Sequence, residues 1–182
     1  MKDCRISEII LSEKQIEKGI TRAAKWINSE FKDKQPIIIG ILKGCIPFYG
    51  KIIPQLTIDC YTEFMAVYSF HGGMQASTEP EIKLDISTEI QGKDLIILED
   101  IIDTARTLSK IKNRLLENGA KSVTIVTLLD KPTGRKVELT ADYSCFEIPD
   151  KFLVGFGLDY KELFRNLPYV GVLKPEFIEK GK

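Results

Sequence analysis

The chain has 182 residues, and its 26 basic and 26 acidic side chains balance to a net charge of zero. Without a basic excess we expect no nucleic-acid partner, and without an apolar stretch of about 20 residues we expect no membrane partner. The first residues lack the apolar core of a signal peptide, so we predict a cytoplasmic location.

The first half of the chain predicts a helix followed by strands and a loop. Ser12 and Gln15 form a capping-box pattern, and apolar residues then follow at helical spacing as far as Phe31. The run "QPIIIGILKG" is typical of a buried parallel strand, and Pro47 suits the first turn of a helix that ends near Leu56. "CYTEFMAVYSF" predicts a strand, "HGGMQASTEP" a loop, and "EIKLDIS" a short returning strand.

The second half repeats the alternation of strand and helix. "KDLIILED" is predicted to be the central strand, ending at its two acids, and "KSVTIVTLLD" the next strand. Between them lies a helix that stops at Asn118-Gly119. Its predicted apolar stripe is Leu108, Ile111, Leu115 and Leu116.

This alternation predicts an α/β fold with a twisted, mainly parallel sheet flanked by helices. We expect a single domain over residues 1–182, with a core of about 34–140. A small hood should be built from about 1–12 and 141–182, with the first helix beside it.

The four cysteines indicate neither a zinc site nor a disulfide framework. Cys4, Cys45, Cys60 and Cys145 are widely spaced and form no C-x-x-C pair. We expect reduced, mostly buried thiols, with Cys45 in a predicted loop as the exception.

The stretch "LIILEDIIDTARTL" places three acids beside a turn suited to an anion. Ligands of open α/β sheets bind at the carboxyl ends of strands, where Glu99 and Asp100 are expected. The turn that follows opens a helix whose first amides favour a phosphate. Acids beside a phosphate make sense if they face ribose hydroxyls and Mg²⁺, so the pattern favours a sugar phosphate carrying further phosphates. The alternative is a threonine helix cap without a ligand.

That stretch resembles the signature of the type I phosphoribosyltransferases. The segments "ILKGCIPF", "LLDKP" and "FEIPDKFLVGFGLDYKELFRNLPYVGVL" resemble further motifs of the hypoxanthine-guanine branch of this family. They follow in the same order from about Ile9 to Leu173. The resemblance implies the type I phosphoribosyltransferase fold, phosphoribosyl pyrophosphate and an oxopurine base as substrates, and Mg²⁺ as cofactor.

The resemblance also assigns roles around the sugar. Asp103 would be the general base near purine N7. Glu99 and Asp100 would hold the ribose hydroxyls and one Mg²⁺, and Asp159 a second Mg²⁺. The 5′-phosphate would be held by Thr104, Ala105, Arg106 and Thr107. Because Ala105 replaces a common glycine, we expect a negative φ there.

Pyrophosphate would contact Lys43 and Gly44, after a cis peptide between Leu42 and Lys43, and also Arg165. Without the resemblance, we would interpret Lys43 as a solvated loop lysine and predict an exposed helix for "DYKELFR". The flexible loop has Ser69-Phe70 where the family usually has Ser-Tyr, so closure would rely on Ser69 and the backbone. The neighbouring histidine is interpreted as a solvated loop residue.

For the base, the resemblance assigns Lys131 to the 6-oxo group, Phe152 to ring stacking and the Leu153 backbone to the base edge. Without the resemblance, we would interpret Lys131 as a lysine in a turn and Phe152 as a residue of the hydrophobic core. The implied activity is purine salvage, giving IMP or GMP from hypoxanthine or guanine. A xanthine-preferring enzyme and a non-catalytic, nucleotide-sensing regulator remain alternatives. The family implies a homodimer or homotetramer.

Overall fold

The computed structural model describes residues 2–68 and 81–178, and within these ranges nine strands and three α-helices alternate. The strands are β1 (Ile6–Leu11), β2 (Ile37–Leu42), β3 (Tyr61–Tyr68), β4 (Glu81–Leu84), β5 (Asp94–Ile102), β6 (Ser122–Asp130), β7 (Tyr143–Glu147), β8 (Leu153–Val154) and β9 (Val170–Leu173). The helices are α1 (Glu13–Glu30), α2 (Ile46–Ile52) and α3 (Arg106–Glu117).

A six-stranded sheet with the order β4-β3-β2-β5-β6-β7 forms the centre of the fold. All its neighbouring pairs are parallel except β3 with β4 at the edge. Side chains alternate between the two faces, so Ile38 packs in the cluster with α1 and α2, while Ile37 and Ile39 pack in the cluster with α3. Both faces are covered, which explains the uninterrupted apolar sequence of β2.

The helices cover the sheet through the apolar stripes that the sequence predicts. The capping box between Ser12 and Gln15 is present at the start of α1. In α3, Leu108, Ile111 and Leu115 are buried as predicted, but Leu116 is 40% exposed, so its assignment to the stripe was wrong. The helix stops at Gly119, whose φ is 90°.

A second, three-stranded antiparallel sheet with the order β1-β9-β8 forms the hood. Residues 143–147 do not join this small sheet but form β7 and extend the central sheet beside β6. This pairing satisfies the backbone groups that β6 would otherwise expose at an edge. The first helix also packs on the central sheet, in one cluster with Ile38 and Val126.

The prediction for Cys45 was wrong, because this thiol is fully buried between β2 and α2 while Cys4 is exposed. Burial raises the pKa of the Cys45 thiol, and burial also raises the pKa of Cys145 to about 12. The four cysteines are free. None of the helices in residues 2–68 and 81–178 has the length and apolar character that a membrane crossing requires.

Candidate active site

Three loops meet where β2, β5 and β6 end, because these neighbouring strands are parallel and finish at one edge of the sheet. The loop after β2 begins with the cis peptide between Leu42 and Lys43, as the resemblance implies. The loops after β5 and β6 are joined directly, since the Lys131 amide donates to the Ile102 carbonyl at 3.0 Å. The predicted site residues of all three loops therefore lie at this edge.

The strand β5 continues to Ile102, two residues beyond the two adjacent acids at which its end was predicted. A Cβ placed on Gly44 would lie 1.7 Å from Oδ2 of Asp100, so only a glycine allows the loop after β2 to approach this carboxylate so closely. Gly44 and Asp100 are thus neighbours, although 56 residues separate them in sequence.

Glu99 and Asp100 are two adjacent carboxyl groups in a buried environment, which disfavours their ionised form. Burial raises the pKa of both carboxyl groups, and their mutual repulsion raises the pKa of Glu99 further. The Ile101 amide donates to Oδ1 of Asp100 at 2.8 Å, and this bond and the positive charge of Arg165 oppose the effect on Asp100. A bound cation would supply the opposite charge that this pair needs, so the pair fits a divalent metal such as Mg²⁺.

Asp159 does not join this pair in a single ligand group. Among residues 2–68 and 81–178, no three His, Cys, Asp or Glu side chains converge on one metal position. Asp159 instead contacts Arg165, with Oδ1 at 2.8 Å from Nη2. The assignment of Asp159 to a second ion stays a prediction.

The turn between β5 and α3 differs from the prediction at Ala105, whose φ is +63° and not negative. The chain needs a left-handed residue to turn from the strand into the helix, and alanine adopts this conformation at a cost of about 1–2 kcal/mol. No side chain caps the N-terminus of α3, so the interpretation of the threonines as a helix cap was wrong. The N-terminus of a helix favours an anion.

A cavity of ≈ 170 Å³ lies beside this turn. Its lining includes Asp103, Thr104, Ala105 and Thr107, together with Glu99. Thr104 and Arg106 are exposed. Four predicted site residues from one segment thus surround a single small space next to the N-terminus of α3.

Asp103 and Lys131 face each other across the ends of β5 and β6. Their Oδ2 and Nζ atoms are 3.7 Å apart, and the same Nζ lies 2.7 Å from Oδ1 of Asp150. The ion pair with Asp150, followed by Asp103, raises the pKa of Lys131. A Cβ on Gly134 would lie 1.6 Å from Oδ1 of Asp103, so the carboxylate packs directly over the turn that follows the lysine.

Phe152 is not part of the core, as the sequence alone would indicate, but is 45% exposed. Its ring packs edge-on against Tyr160, with the centroids 5.6 Å apart. The next residue, Leu153, is buried at the start of β8 and fixes the backbone beside it. The arrangement presents an aromatic surface next to a rigid strand.

Lys43 and Arg165 lie together around Glu162. Nζ of Lys43 is 2.9 Å from Oε2 of Glu162, and Nη2 of Arg165 is 3.3 Å from Oε1 of the same carboxylate. The Lys43 side chain is therefore paired and not simply solvated. The segment "DYKELFR" is a tight loop and not the helix that its sequence alone predicts, because Lys161, Glu162 and Phe164 have positive φ.

Comparison with known proteins identifies the family. A model of the phosphoribosyl transferase domain matches residues 7–161. The chain belongs to the phosphoribosyltransferase family. The resemblance described from the sequence is thus confirmed.

Individual relatives match this phosphoribosyltransferase over nearly its whole length. The hypoxanthine-guanine phosphoribosyltransferase of Lactococcus lactis is 48% identical over 178 residues, covering 98% of this chain and 97% of the relative. A hypoxanthine phosphoribosyltransferase from Staphylococcus aureus has a TM-score of 0.92 at 39% identity, covering 97% of this chain and 96% of the other. One from Trypanosoma cruzi, in complex with the product IMP, has a TM-score of 0.91 at 31% identity, covering 98% and 100%. These structures confirm the predicted fold class.

Arg135 connects the loops of the candidate site and was not predicted from the sequence. Its Nη1 donates to the carbonyls of Ile102 at 2.8 Å and Asp103 at 2.7 Å, and its Nε donates to Leu139 at 2.9 Å. Its Nη2 also forms an ion pair with Asp130. The guanidinium joins the loop after β5 to the loop after β6. No local pattern marks this role, because its partners come from distant segments.

Glu162 was missed for the same reason, since its lysine partner is 119 residues away in sequence. The cation of Lys43 is the first cause of a lowered pKa for the Glu162 carboxyl, followed by the charge of Arg165. The loop residues Ser69 and Phe70, and the histidine after them, lie outside the described residues, so the predictions for Ser69 and Phe70 stay predictions.

Proposed function

We propose that this phosphoribosyltransferase transfers the phosphoribosyl group of phosphoribosyl pyrophosphate to hypoxanthine or guanine, giving IMP or GMP and pyrophosphate. The observation that carries the proposal is the Lys131–Asp103 pair, 3.7 Å apart, beside the turn that opens α3 without a side-chain cap at Ala105. The names of the Lactococcus lactis and Staphylococcus aureus relatives support it.

Selection of an oxopurine follows from the charge of Lys131. The ion pair with Asp150 favours the protonated amine, which can donate a hydrogen bond to a 6-oxo group. Adenine carries an amino group there, which is itself a donor. Adenine would place this donor against the donor of the part-buried lysine, and such mismatches discriminate strongly between substrates.

Asp103 is proposed as the general base. Its carboxylate would accept the proton from N7 of the purine while the purine attacks the anomeric carbon and pyrophosphate leaves. A negative charge close to the sugar would also stabilise an oxocarbenium-like transition state. The position of the carboxylate supports this role, because its Oδ2 lies 3.7 Å from Nζ of Lys131, the residue proposed to bind the purine.

Mg²⁺ is the cofactor that fits the carboxylates. Glu99 and Asp100 would hold one ion and Asp159 a second. When bound, magnesium neutralises charge on the pyrophosphate group and makes it a better leaving group. The raised pKa values of Glu99 and Asp100 support the assignment, because a cation restores the ionised form of buried acids.

The remaining assignments concern the phosphates. Amides and hydroxyls of residues 104–107 would hold the 5′-phosphate, including the exposed Thr104 and Arg106. Lys43, Gly44 and Arg165 would bind pyrophosphate, and Ser69 would cover it. Phe152 and the Leu153 backbone would position the base. We also propose a homodimer or homotetramer, which sedimentation of the purified protein would distinguish.

The test of this function is a base panel. Purified protein is mixed with phosphoribosyl pyrophosphate, Mg²⁺ and one of hypoxanthine, guanine, xanthine or adenine, and nucleotides are separated by chromatography. We expect IMP and GMP, no AMP, and no product when a chelator removes the metal. Preference for xanthine would point to the xanthine-specific alternative. If no nucleotide forms with any of the four bases, the result would support a nucleotide-sensing regulator.

A further inference from the structure

We propose that Glu162 sets the affinity for pyrophosphate and phosphoribosyl pyrophosphate, because in the free enzyme it occupies the two cations that would bind the pyrophosphate group. The inference rests on the proposed function, which assigns Lys43 and Arg165 to pyrophosphate. Binding of the ligand would then be an exchange, in which pyrophosphate oxygens replace one protein carboxylate.

The geometry supports an internal substitute for a ligand. The two oxygens of Glu162 serve different cations, Oε2 contacting Lys43 at 2.9 Å and Oε1 contacting Arg165 at 3.3 Å. One carboxylate therefore bridges two loops that are far apart in sequence, as a diphosphate would between the same two side chains.

The backbone holds Glu162 in this place. Its φ is +65°, and its amide donates to Oδ2 of Asp159 at 2.9 Å. A left-handed conformation at a glutamate is uncommon and costs free energy, so the surrounding loop must favour it. The side chain is nevertheless 62% exposed, which leaves it room to move away when a ligand arrives.

Arg165 adds a second, independent observation. Its Nε is buried and has no hydrogen-bond partner among the described parts of the chain, although Nη1 donates to the Gly157 carbonyl at 2.7 Å. Buried donors are normally satisfied, so an orphaned one suggests a missing acceptor. An oxygen of a bound pyrophosphate group is an acceptor of the right charge.

The exchange has a kinetic advantage. Pyrophosphate is a product, and very tight binding to Lys43 and Arg165 would slow its release. An acid that competes for both cations weakens the bound state of the substrate and of the product alike. Because exposed ion pairs are individually weak, this competition should change the affinity by about two- to tenfold and not abolish binding.

The test compares Glu162→Gln with the wild type by calorimetric titration of pyrophosphate in the presence of Mg²⁺. Gln keeps the shape and removes the charge, so we expect pyrophosphate to bind about two- to tenfold more tightly. KM for phosphoribosyl pyrophosphate should fall in parallel, while KM for hypoxanthine and the affinity for IMP should not change. Glu162→Asp, which keeps the charge, should lie nearer the wild type.

Glu176→Gln is the matched control, because Glu176 is an exposed acid beside Lys174 and outside the site. Unchanged or weaker pyrophosphate binding in a folded Glu162→Gln variant would overturn the inference. The calorimetric measurement needs no turnover. A wild type that makes no nucleotide would therefore refute the proposed function, while the effect of Glu162 on pyrophosphate binding would be decided separately.

Discussion

Arg135 should fix the position of the proposed general base, Asp103, relative to Lys131, which is proposed to recognise the purine. Replacing it by alanine removes the donors to the Ile102 and Asp103 carbonyls and the ion pair with Asp130. The side chain is only 18% exposed, so water can reach these acceptors only partly. The change should therefore loosen the ends of β5 and β6 relative to each other.

The expected size follows from these contacts. A hydrogen bond from a charged donor contributes about 1.5–3 kcal/mol, and breaking a part-buried ion pair leaves a charge uncompensated. Allowing for partial solvation and non-additivity, we expect Arg135→Ala to lower the free energy of unfolding by about 3–4 kcal/mol. A displacement of Asp103 by about 1 Å should reduce kcat by up to about 100-fold.

Urea unfolding followed by circular dichroism measures the stability, and steady-state kinetics at a temperature where the variant is folded measure kcat. Arg114→Ala is the matched control, because Arg114 also pairs with an aspartate, Asp85, but is 43% exposed. The control should cost less than about 1 kcal/mol and leave kcat unchanged. Arg135→Lys keeps the charge but lacks the planar fork, so it should not restore kcat.

The reasoning would be refuted by an Arg135→Ala variant that is as stable as the Arg114→Ala control and retains kcat within a factor of about two. Full recovery of kcat by Arg135→Lys would also contradict it. In that case charge near Asp130, and not the connection between the two loops, would be what the site requires.

Three further changes test separate parts of the site. Asp103→Asn should lower kcat by about 10²–10⁴-fold, with IMP affinity nearly unchanged in calorimetry; a loss confined to affinity would argue against a general base. Lys131→Ala should raise KM for hypoxanthine more than KM for phosphoribosyl pyrophosphate, and Lys18→Ala on α1 should change neither; equal rises would make Lys131 structural. Gly44→Ala should nearly abolish activity, because its Cβ would lie 1.7 Å from a carboxylate oxygen, whereas Gly50→Ala, with no atom within 4 Å, should leave kcat intact; similar effects in both would exclude the close approach as the cause.

Much of the fold could be predicted because its signals are local. The isoleucine-rich sequence of β2 reflects burial on both faces, and the start of α1 is encoded in the Ser12–Gln15 capping box. The strand with which a short strand pairs cannot be predicted from such local signals. β7 has five residues, and whether it joins the hood or the edge of β6 depends on tertiary pairing that its own sequence does not specify.

The candidate site also has features that local sequence predicts and features that depend on the tertiary structure. Its linear motifs follow in order along the chain, so Asp103, Lys131 and Arg165 could be assigned by resemblance. The backbone at Ala105 could not, because the tertiary turn into α3 overrides the preference of alanine for negative φ. The contacts of Arg135 and Glu162 depend on residues that only folding brings together.

The charges of the site explain how three acids can lie beside a phosphate-binding turn. Asp103 faces Lys131, so its negative charge is partly balanced on the base side. Asp159 and Arg165 are balanced in the same way on the opposite side. The Glu99–Asp100 pair differs, because burial raises the pKa of both carboxyl groups and repulsion by Asp100 raises the pKa of Glu99 further. A polyanionic substrate therefore adds repulsion mainly at this pair, and a divalent cation placed there removes the repulsion within the pair and between the pair and the substrate.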